Sequence, residues 1–597
     1  MDPIPYLPLS AQTISSLAVG QIQRPVSVNT MDSPVPSRSG FSERHTPQYN
    51  SSLKKHTPSQ NNSSLATSEE KKPVSRIVEK LDSHSDSIVY PGKVQVTFIT
   101  IALCLSILLV ALDQTIVATA VPKITDHFQA LDDVAWYGSA YLLTTASFQL
   151  PFGKIYTLFS VKWTFLAAIS IFELGSLVCG VAQSSKALIV GRAIAGLGCA
   201  GIYSGGLIIV SYSVPLRQQP IYNGIISSTW GIASVAGPLM GGVFTEKISW
   251  RLCFIINLPI GIVTALGIML FFHPPRVQRS TATGVFGYVK LFDIIGCFVL
   301  VSAVVLLFLA LQWGGSKYTW KSGYTIGLLV AFGVLVVIFI GIQLWMQDNA
   351  TVPPRILKNR SILAGVAFSF MLGGSFFTMV FYIPIWFQAI RGKTAVSSGI
   401  DNIPMLLGVV VASTLAGASV SAFGYYTPFM IASAVFSAVG AGLLTTLQVD
   451  TGHARWIGYQ AMFGLGIGLG MQQPIAAAQT VLQLADIASG TALIVFAESL
   501  GGSLFLSVGQ SIFTNKLIDG LVSQVPNLDP SIVLQTGAVG LKYAIDPEYL
   551  PDVLAAYNHA ITKTFCVSVA LSCFTIFGAI FTEWKSVKGN KPVVAAA

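Results

Sequence analysis

Charge is what this sequence has least of. Only 10% of its 597 residues are Asp, Glu, Lys or Arg, where a soluble globular domain carries about a quarter. That shortage excludes the ordinary multi-domain soluble enzyme that a chain of this length would otherwise suggest. Cysteine chemistry is missing as well. The seven cysteines (Cys104, Cys179, Cys199, Cys253, Cys297, Cys566 and Cys573) include no CxxC pair and all fall within apolar runs. They are expected to be small buried apolar residues, not ligands or disulfide partners. His453 and His559 have no partners at metal-ligand spacing, so no metal and no cofactor is expected. An integral-membrane enzyme would need a clustered His or Cys/Asp constellation at a membrane face, and none is written in the chain. The start, Met1-Asp2-Pro3-Ile4-Pro5, lacks a basic region followed by an apolar core, so the first apolar span is expected to act as the insertion signal.

What the chain has instead is apolar length. Hydrophobic residues make up 52%, and they recur in runs of about 20, each enough to cross roughly 30 Å of hydrocarbon as a helix. Spans are predicted near 96–121, 136–152, 163–182, 187–210, 221–243, 251–272, 291–312, 324–345, 362–387, 399–420, 427–447, 456–476, 491–513 and 565–582. Their grouping is six, two and six, which divides the chain into a polar tail (1–92), a first bundle (93–272), a linker carrying two extra helices (273–361), a second bundle (362–584) and a short tail (585–597). The N-terminal tail is rich in Ser, Thr, Pro and Asn and reads as solvated and without a packed core. Its Ser33-Pro34, Thr46-Pro47 and Thr57-Pro58 dipeptides are of a kind common in such tails.

The formal charge of +9 fits a membrane protein with basic inner loops, not a nucleic-acid binder. The short loops alone are evenly balanced in basic residues. The flanks decide the orientation: Lys71, Lys72, Arg76, Lys80 and Lys93 precede the first span, and Lys585, Lys588 and Lys591 follow the last. The one long late loop, 514–564, carries Asp519, Asp529, Asp546, Glu548 and Asp552 and suits the outside. Both termini are therefore expected to be cytoplasmic. On that topology the sequons Asn349-Ala350-Thr351 and Asn359-Arg360-Ser361 lie inside and stay unmodified.

Several motifs then appear in order. Leu112-Asp113-Gln114-Thr115-Ile116-Val117 leads to Ala120-Val121-Pro122. Gly191-Arg192-Ala193-Ile194-Ala195-Gly196-Leu197-Gly198 lies in the fourth span. Gly231 and Gly237-Pro238-Leu239-Met240-Gly241-Gly242 lie in the fifth, followed by Trp250-Arg251, Phe254, Asn257, Pro259 and Gly261. Tyr382-Ile383-Pro384-Ile385-Trp386-Phe387-Gln388 precedes Ser398-Gly399-Ile400. In this order and spacing, over roughly residues 95–585, the chain resembles the fourteen-span drug:proton antiporter branch of the major facilitator superfamily. That branch contains fungal toxin and multidrug efflux pumps. The resemblance implies an all-α integral membrane protein with the major facilitator fold, two six-helix bundles plus two extra central helices. One motif departs. Gly153 and Lys162 match the ends of the family's loop after span two, but Thr157 stands where the family has an aspartate. Helix-end packing or the remaining lysines must then close the cytoplasmic side.

An ionisable residue at membrane depth carries an insertion penalty of roughly 2.5–3.5 kcal/mol, so each is a functional candidate. Asp113, Glu173, Arg192 and Glu498 are the deep ones. Arg192 cannot deprotonate, so it suits holding a carboxylate or a polar network. Desolvation and a nearby cation act on a carboxylate in opposite directions, and together they poise it for proton exchange. Asp113, Arg192 and Glu173 are the proton-coupling candidates. The bland alternatives are a structural Asp–Arg pair and an interhelical hydrogen bond from Glu173. Glu498 suits cationic or hydrogen-bond-donating cargo, or an interhelical pair. With Gln388, Trp230, Gln472 and Gln473 it makes the substrate-cavity set. Gly231, Gly237, Pro238, Gly241 and Gly242 make the antiporter motif: small residues for close approach and a proline that removes a backbone donor.

The reading is a monomeric transporter in the plasma membrane or an internal membrane, moving protons against a small amphipathic molecule by rocking of the bundles. A proton-coupled importer, for example of siderophores, shares the fold, and a non-transporting sensor would exploit the long tail.

Overall fold

The computed structural model describes residues 90–130, 133–274, 291–314, 318–526, 528–530, 532–533, 541 and 545–588. All but the last three residues of the N-terminal tail, with its Ser-Pro and Thr-Pro dipeptides, lie outside them. So do Arg276, Arg279 and Lys290, part of the late loop, and residues 589–597.

Fourteen long helices follow one another among the described residues. They are α1 (Lys93–Phe128), α2 (Val134–Leu158), α3 (Val161–Gly180), α4 (Ser185–Ser213), α5 (Gln219–Lys247), α6 (Asn257–Phe271), α7 (Ile294–Trp313), α8 (Gly323–Met346), α9 (Arg360–Arg391), α10 (Ile403–Phe423), α11 (Thr427–Leu444), α12 (His453–Met471), α13 (Ile487–Gln524) and α14 (Leu550–Phe581). Eleven of the spans they form are long and apolar enough to cross a membrane. The remaining three helices, α2, α5 and α12, have their apolar runs diluted by Gly, Ser, Thr, Gln and charged side chains. Helix starts and stops follow the usual chemistry. Pro220, Pro404, Pro428 and Pro551 occupy first turns, where a missing N–H goes unnoticed. Gly392 (φ 62°) and Gly424 (φ 99°) end α9 and α10 in the left-handed conformation.

The two bundles repeat each other. In the first, α1 packs on α5 and α6, and α4 on α2 and α3, with α3 also touching α6. Adding eight to every label gives the second: α9 on α13 and α14, α12 on α10 and α11, and α11 on α14. The interface obeys the same symmetry, since α5 packs along α10 and α2 along α13, pairs that exchange under a two-fold axis. Of the two inserted helices, α7 reaches α2 and α13, whereas α8 packs on α7 and is otherwise open to lipid, with 6% of its apolar window buried.

Both ends of the described chain lie on one face, here the terminal face. There Gln95 at the start of α1 donates to the Phe271 carbonyl at the end of α6, and Arg360 at the start of α9 donates to the Phe581 carbonyl at the end of α14. Arg217, between α4 and α5, reaches the Ser421 carbonyl of α10 and joins the two halves on that face.

Three expectations change. The late loop is much shorter than 514–564, because α13 continues to Gln524 and α14 begins at Leu550. The charged residues that ended the apolar window are helical ones: Lys516 and Asp519 form an i,i+3 pair at 3.1 Å. The twelfth span is broken at Gln472, where Pro474 starts a new helical segment, Gln473–Val481. The cysteines are not uniformly buried either. Cys179, Cys199, Cys253 and Cys297 are, but Cys566 and Cys573 lie on the exposed outer side of α14. A small apolar thiol suits lipid as well as it suits a core.

Candidate functional site

Asp113 and Arg192 meet inside the first bundle, at 0% and 2% exposure. Arg192 Nη1 lies 2.5 Å from Asp113 Oδ2, and its Nε donates to the Tyr137 carbonyl at 2.8 Å. The second carboxylate oxygen accepts from Asn257 Nδ2 at 3.1 Å, and the same amide nitrogen reaches Ser176 Oγ at 3.1 Å. The guanidinium also sits over the Tyr141 ring, 4.4 Å from its centroid. Helices α1, α2, α3, α4 and α6 are thus drawn together around one ion pair.

Glycine makes this approach possible. A Cβ at Gly198 of α4 would drive into the backbone of Phe172 on α3, and one at Gly175 would meet Ala195. A buried pair adds little net stability, because desolvating both charges offsets their attraction. Removing one partner is different, since it strands the other at a loss of about 3–5 kcal/mol.

Glu173 on α3 points at α6, where its carboxylate fills the space above Gly261. Both of its oxygens are buried and accept no hydrogen bond among the described residues. The interhelical hydrogen bond that would make it merely structural is not formed. An ionised carboxylate in that place carries a desolvation cost that protonation removes.

Glu498 lies on α13 at 8% exposure. Its backbone packs on Gly373 of α9. Tyr203 of α4, in the other bundle, packs against the apolar cluster that holds Ile494 and Val495 of α13, the turn before Glu498. The Glu498 carboxylate too accepts no hydrogen bond from a described residue. Nearby across the same interface, the Trp230 ring of α5 stands 5.6 Å from that of Phe376 and 6.5 Å from that of Phe377 on α9. Gln472 donates to Ser227 of α5, and its own carbonyl oxygen is buried without a partner. Gln473 turns back to the Leu469 carbonyl and likewise keeps a free buried oxygen. The interface therefore presents acceptors and aromatic faces, a set that suits an aromatic molecule with donor groups.

Gln388 does not join them. It sits near the far end of α9 and donates to Ser398 Oγ at 3.0 Å, bracing the turn into α10. Its amide nitrogen makes a local contact that the sequence could not reveal.

The α5 motif splits between two neighbours. Gly237 and Gly241 fit against Thr115, Ile116 and Thr119 of α1, and Thr115 Oγ1 donates to the Ala233 carbonyl at 3.3 Å. Gly231 meets Val410 of α10, Gly242 faces Val396, and Pro238 lies beside Gly399. One side of α5 packs on its own bundle while the other packs on the opposite one.

On the terminal face the halves are shut. Gly153 of α2 presses on Ala492 of α13, and Thr157 Oγ1 lies 3.2 Å from Ser489 Oγ. Pro220 abuts Gly417, and Asn223 donates to Gln479, which in turn donates to Ser211. Where the resembled family has an aspartate, this chain joins the bundles through a hydroxyl. Asn257, Ser176 and Tyr203 were missed as site residues. Asn257 was named only as part of the run that carries the family resemblance, and Tyr203 carries no charge to draw attention.

The Major Facilitator Superfamily profile matches residues 103–506. "MFS-type efflux pump MFS1" of Arthroderma benhamiae is 56% identical over 500 residues, 84% of this chain and 93% of that protein. "Efflux pump roqT" of Penicillium rubens is 49% identical over 494 residues, 83% of this chain and 91% of that one. Among solved structures, the human organic anion transporter MFSD10 (TETRAN) superposes with a TM-score of 0.51 at 12% identity, covering 80% of this chain and 99% of that one. At that identity the likeness is one of fold.

Proposed function

The chain belongs to the major facilitator superfamily, and from that membership we propose that it is a proton-coupled exporter of small amphipathic organic molecules. Integral membrane placement follows from the family and from eleven apolar spans. Export, rather than uptake, is supported by relatives named as efflux pumps over nearly their whole length. We place the terminal face in the cytoplasm and the protein in the plasma membrane, working as a monomer.

The observation that carries the coupling is the fully buried Asp113–Arg192 pair, with Asn257 on the second carboxylate oxygen. A proton arriving at Asp113 loosens its hold on Arg192. That frees the guanidinium to keep only Tyr137 and the Tyr141 ring, and it changes how α1, α4 and α6 pack. Substrate occupies the bundle interface lined by Glu498, Trp230, Gln472 and Gln473. Rocking of the bundles about α5/α10 and α2/α13 exposes it alternately to each side. Glu173 is the second group able to hold a proton, since it has no partner to lose. The test is efflux of a fluorescent amphipathic dye from vesicles with an imposed pH gradient. Gradient-dependent efflux supports the reading, and dye accumulation driven in the inward direction replaces it with an importer.

A further inference from the structure

The inserted pair α7–α8 is fastened to the rest of the molecule in a way that a passive tether does not require. Asp293, at 0% exposure, caps α7 by accepting from Gly296 N at 2.7 Å. It also accepts from Gln343 Nε2 at 2.7 Å, Thr351 N at 3.1 Å and Thr351 Oγ1 at 3.0 Å. Gln343 returns the connection by accepting from Val352 N at 2.8 Å. The segment after α8, residues 347–359, is thereby folded onto the start of α7. Lys154 of α2, only 5% exposed, then donates to the Ala350 carbonyl at 3.0 Å. A buried ammonium stays in place only while its neighbours satisfy it. This side of the attachment is a fixed anchor to the first bundle.

The other side is different in kind. Arg355, in the same connection and half-exposed, makes a two-pronged contact with Asp486: Nη1 to Oδ2 at 2.5 Å and Nη2 to Oδ1 at 2.7 Å. Asp486 immediately precedes α13 of the second bundle. Arg355 has a second acceptor, Asp348, at 2.7 Å, and water can reach it. Its charge is therefore not stranded when Asp486 leaves. The contact sits one turn from Ser489, which meets Thr157, and close to Ala492, which meets Gly153. The same connection also sends Val352 and Ile356 into an apolar cluster with Leu150 of α2 and Ile494 of α13.

We propose that residues 347–359 form a clasp over the closed terminal face, anchored to the first bundle through Lys154 and Asp293 and released from the second at the Arg355–Asp486 pair during each transport cycle. Arg355 and Asp486 are positioning residues: they set how readily α13 parts from α2, and they touch neither substrate nor proton. The inference rests on the transport reading for its purpose, but its test does not pass through substrate or proton.

The experiment places spin labels at Phe159→Cys and Gln483→Cys on the full chain in lipid nanodiscs, with Cys104, Cys566 and Cys573 changed to Ser. The distance distribution across the terminal face is then read by electron double resonance. The parent is expected to show a short distance as its main population. Arg355→Gln and Asp486→Asn each shift several-fold more of the population to a longer distance, and Arg355→Lys shifts less. The exchange Arg355→Asp with Asp486→Arg brings the short distance back. Thermal stability of Asp486→Asn stays near the parent's, because Arg355 keeps Asp348 and water, which separates a clasp from a folding contact. Lys154→Met, in contrast, lowers thermal stability. Distributions for Arg355→Gln and Asp486→Asn that match the parent would overturn the proposal, and so would a charge exchange that leaves the face open. Failure of gradient-driven efflux alone would overturn the transport reading and leave the distances to decide the clasp.

Discussion

Glu173 and Gly261 touch: the carboxylate on α3 occupies the volume that any side chain at position 261 of α6 would fill. The pair shows how this fold handles polar groups at membrane depth. The acid is given room by an absent side chain and no hydrogen-bond donor among the described residues, so its neutral form suits the site better than its ionised one.

Gly261→Ala is expected to push Glu173 out of that space and loosen α3 against α6. Overpacking of this kind lowers stability by about 1–3 kcal/mol, readable as a lower melting temperature of the purified protein. Glu173→Gln keeps the volume and should leave the melting temperature near the parent's. A stability loss for Glu173→Gln equal to that of Gly261→Ala would mean that the carboxylate has a partner after all.

Glu498 is expected to select cargo by charge. Glu498→Gln keeps the shape and removes the anion, and a charged hydrogen bond contributes about 1.5–3 kcal/mol. Export of a cationic dye should therefore fall by about tenfold or more, while export of a neutral dye of similar size changes little. Equal losses for both would place Glu498 in coupling or folding, not in selection.

The sequons at Asn349 and Asn359 are expected to remain bare. Asn359 caps α9 by accepting from Ser361 N at 3.0 Å, and the Thr351 hydroxyl is buried on Asp293. Both belong to the terminal face, proposed as cytoplasmic. Digestion with an endoglycosidase should leave the mobility of the expressed protein unchanged, and a glycan at Asn349 would turn the topology over.

Much of this architecture was legible because lipid imposes it. A run of about 20 apolar residues has few alternatives to a spanning helix, and the motifs around Asp113, Arg192 and Pro238 carried their order along the chain. Asp113 and Arg192 stood out because charge is rare, and the structure joins them. What escaped was whatever depended on partners distant in sequence. Gln388 looked like a cavity amide, but Ser398 takes its donor. Nothing in the sequence around Lys154 points to Ala350, 196 residues away, whose carbonyl accepts from its buried ammonium. The ends of α13 and α14 escaped for another reason. Apolar windows stop where charge begins, while helices run on as long as hydrogen bonds and side-chain pairs such as Lys516–Asp519 allow.

Arg192 is expected to tolerate no cation in its place. Lysine offers a point charge on a flexible stem and cannot serve Asp113, the Tyr137 carbonyl and the Tyr141 ring together. Arg192→Lys should impair efflux while the protein still folds. Arg192→Ala strands Asp113 and should lose about 3–5 kcal/mol of stability, seen as poor yield and early melting. Normal melting for Arg192→Ala would show that Asp113 is not held as a charge.

The central claim, that a proton exchanged at Asp113 drives export, is tested most directly by Asp113→Asn in vesicles where proton flux and substrate efflux are followed together. An amide keeps the volume and the hydrogen bond to Asn257 but cannot cycle a charge. The account predicts a less stable but still substrate-binding protein, its Arg192 held by the Tyr137 carbonyl and the Tyr141 ring, whose pH gradient no longer drives efflux and whose substrate no longer evokes proton movement. Full gradient-dependent efflux with matching proton flux from Asp113→Asn would contradict it and move the coupling to Glu173 or Glu498.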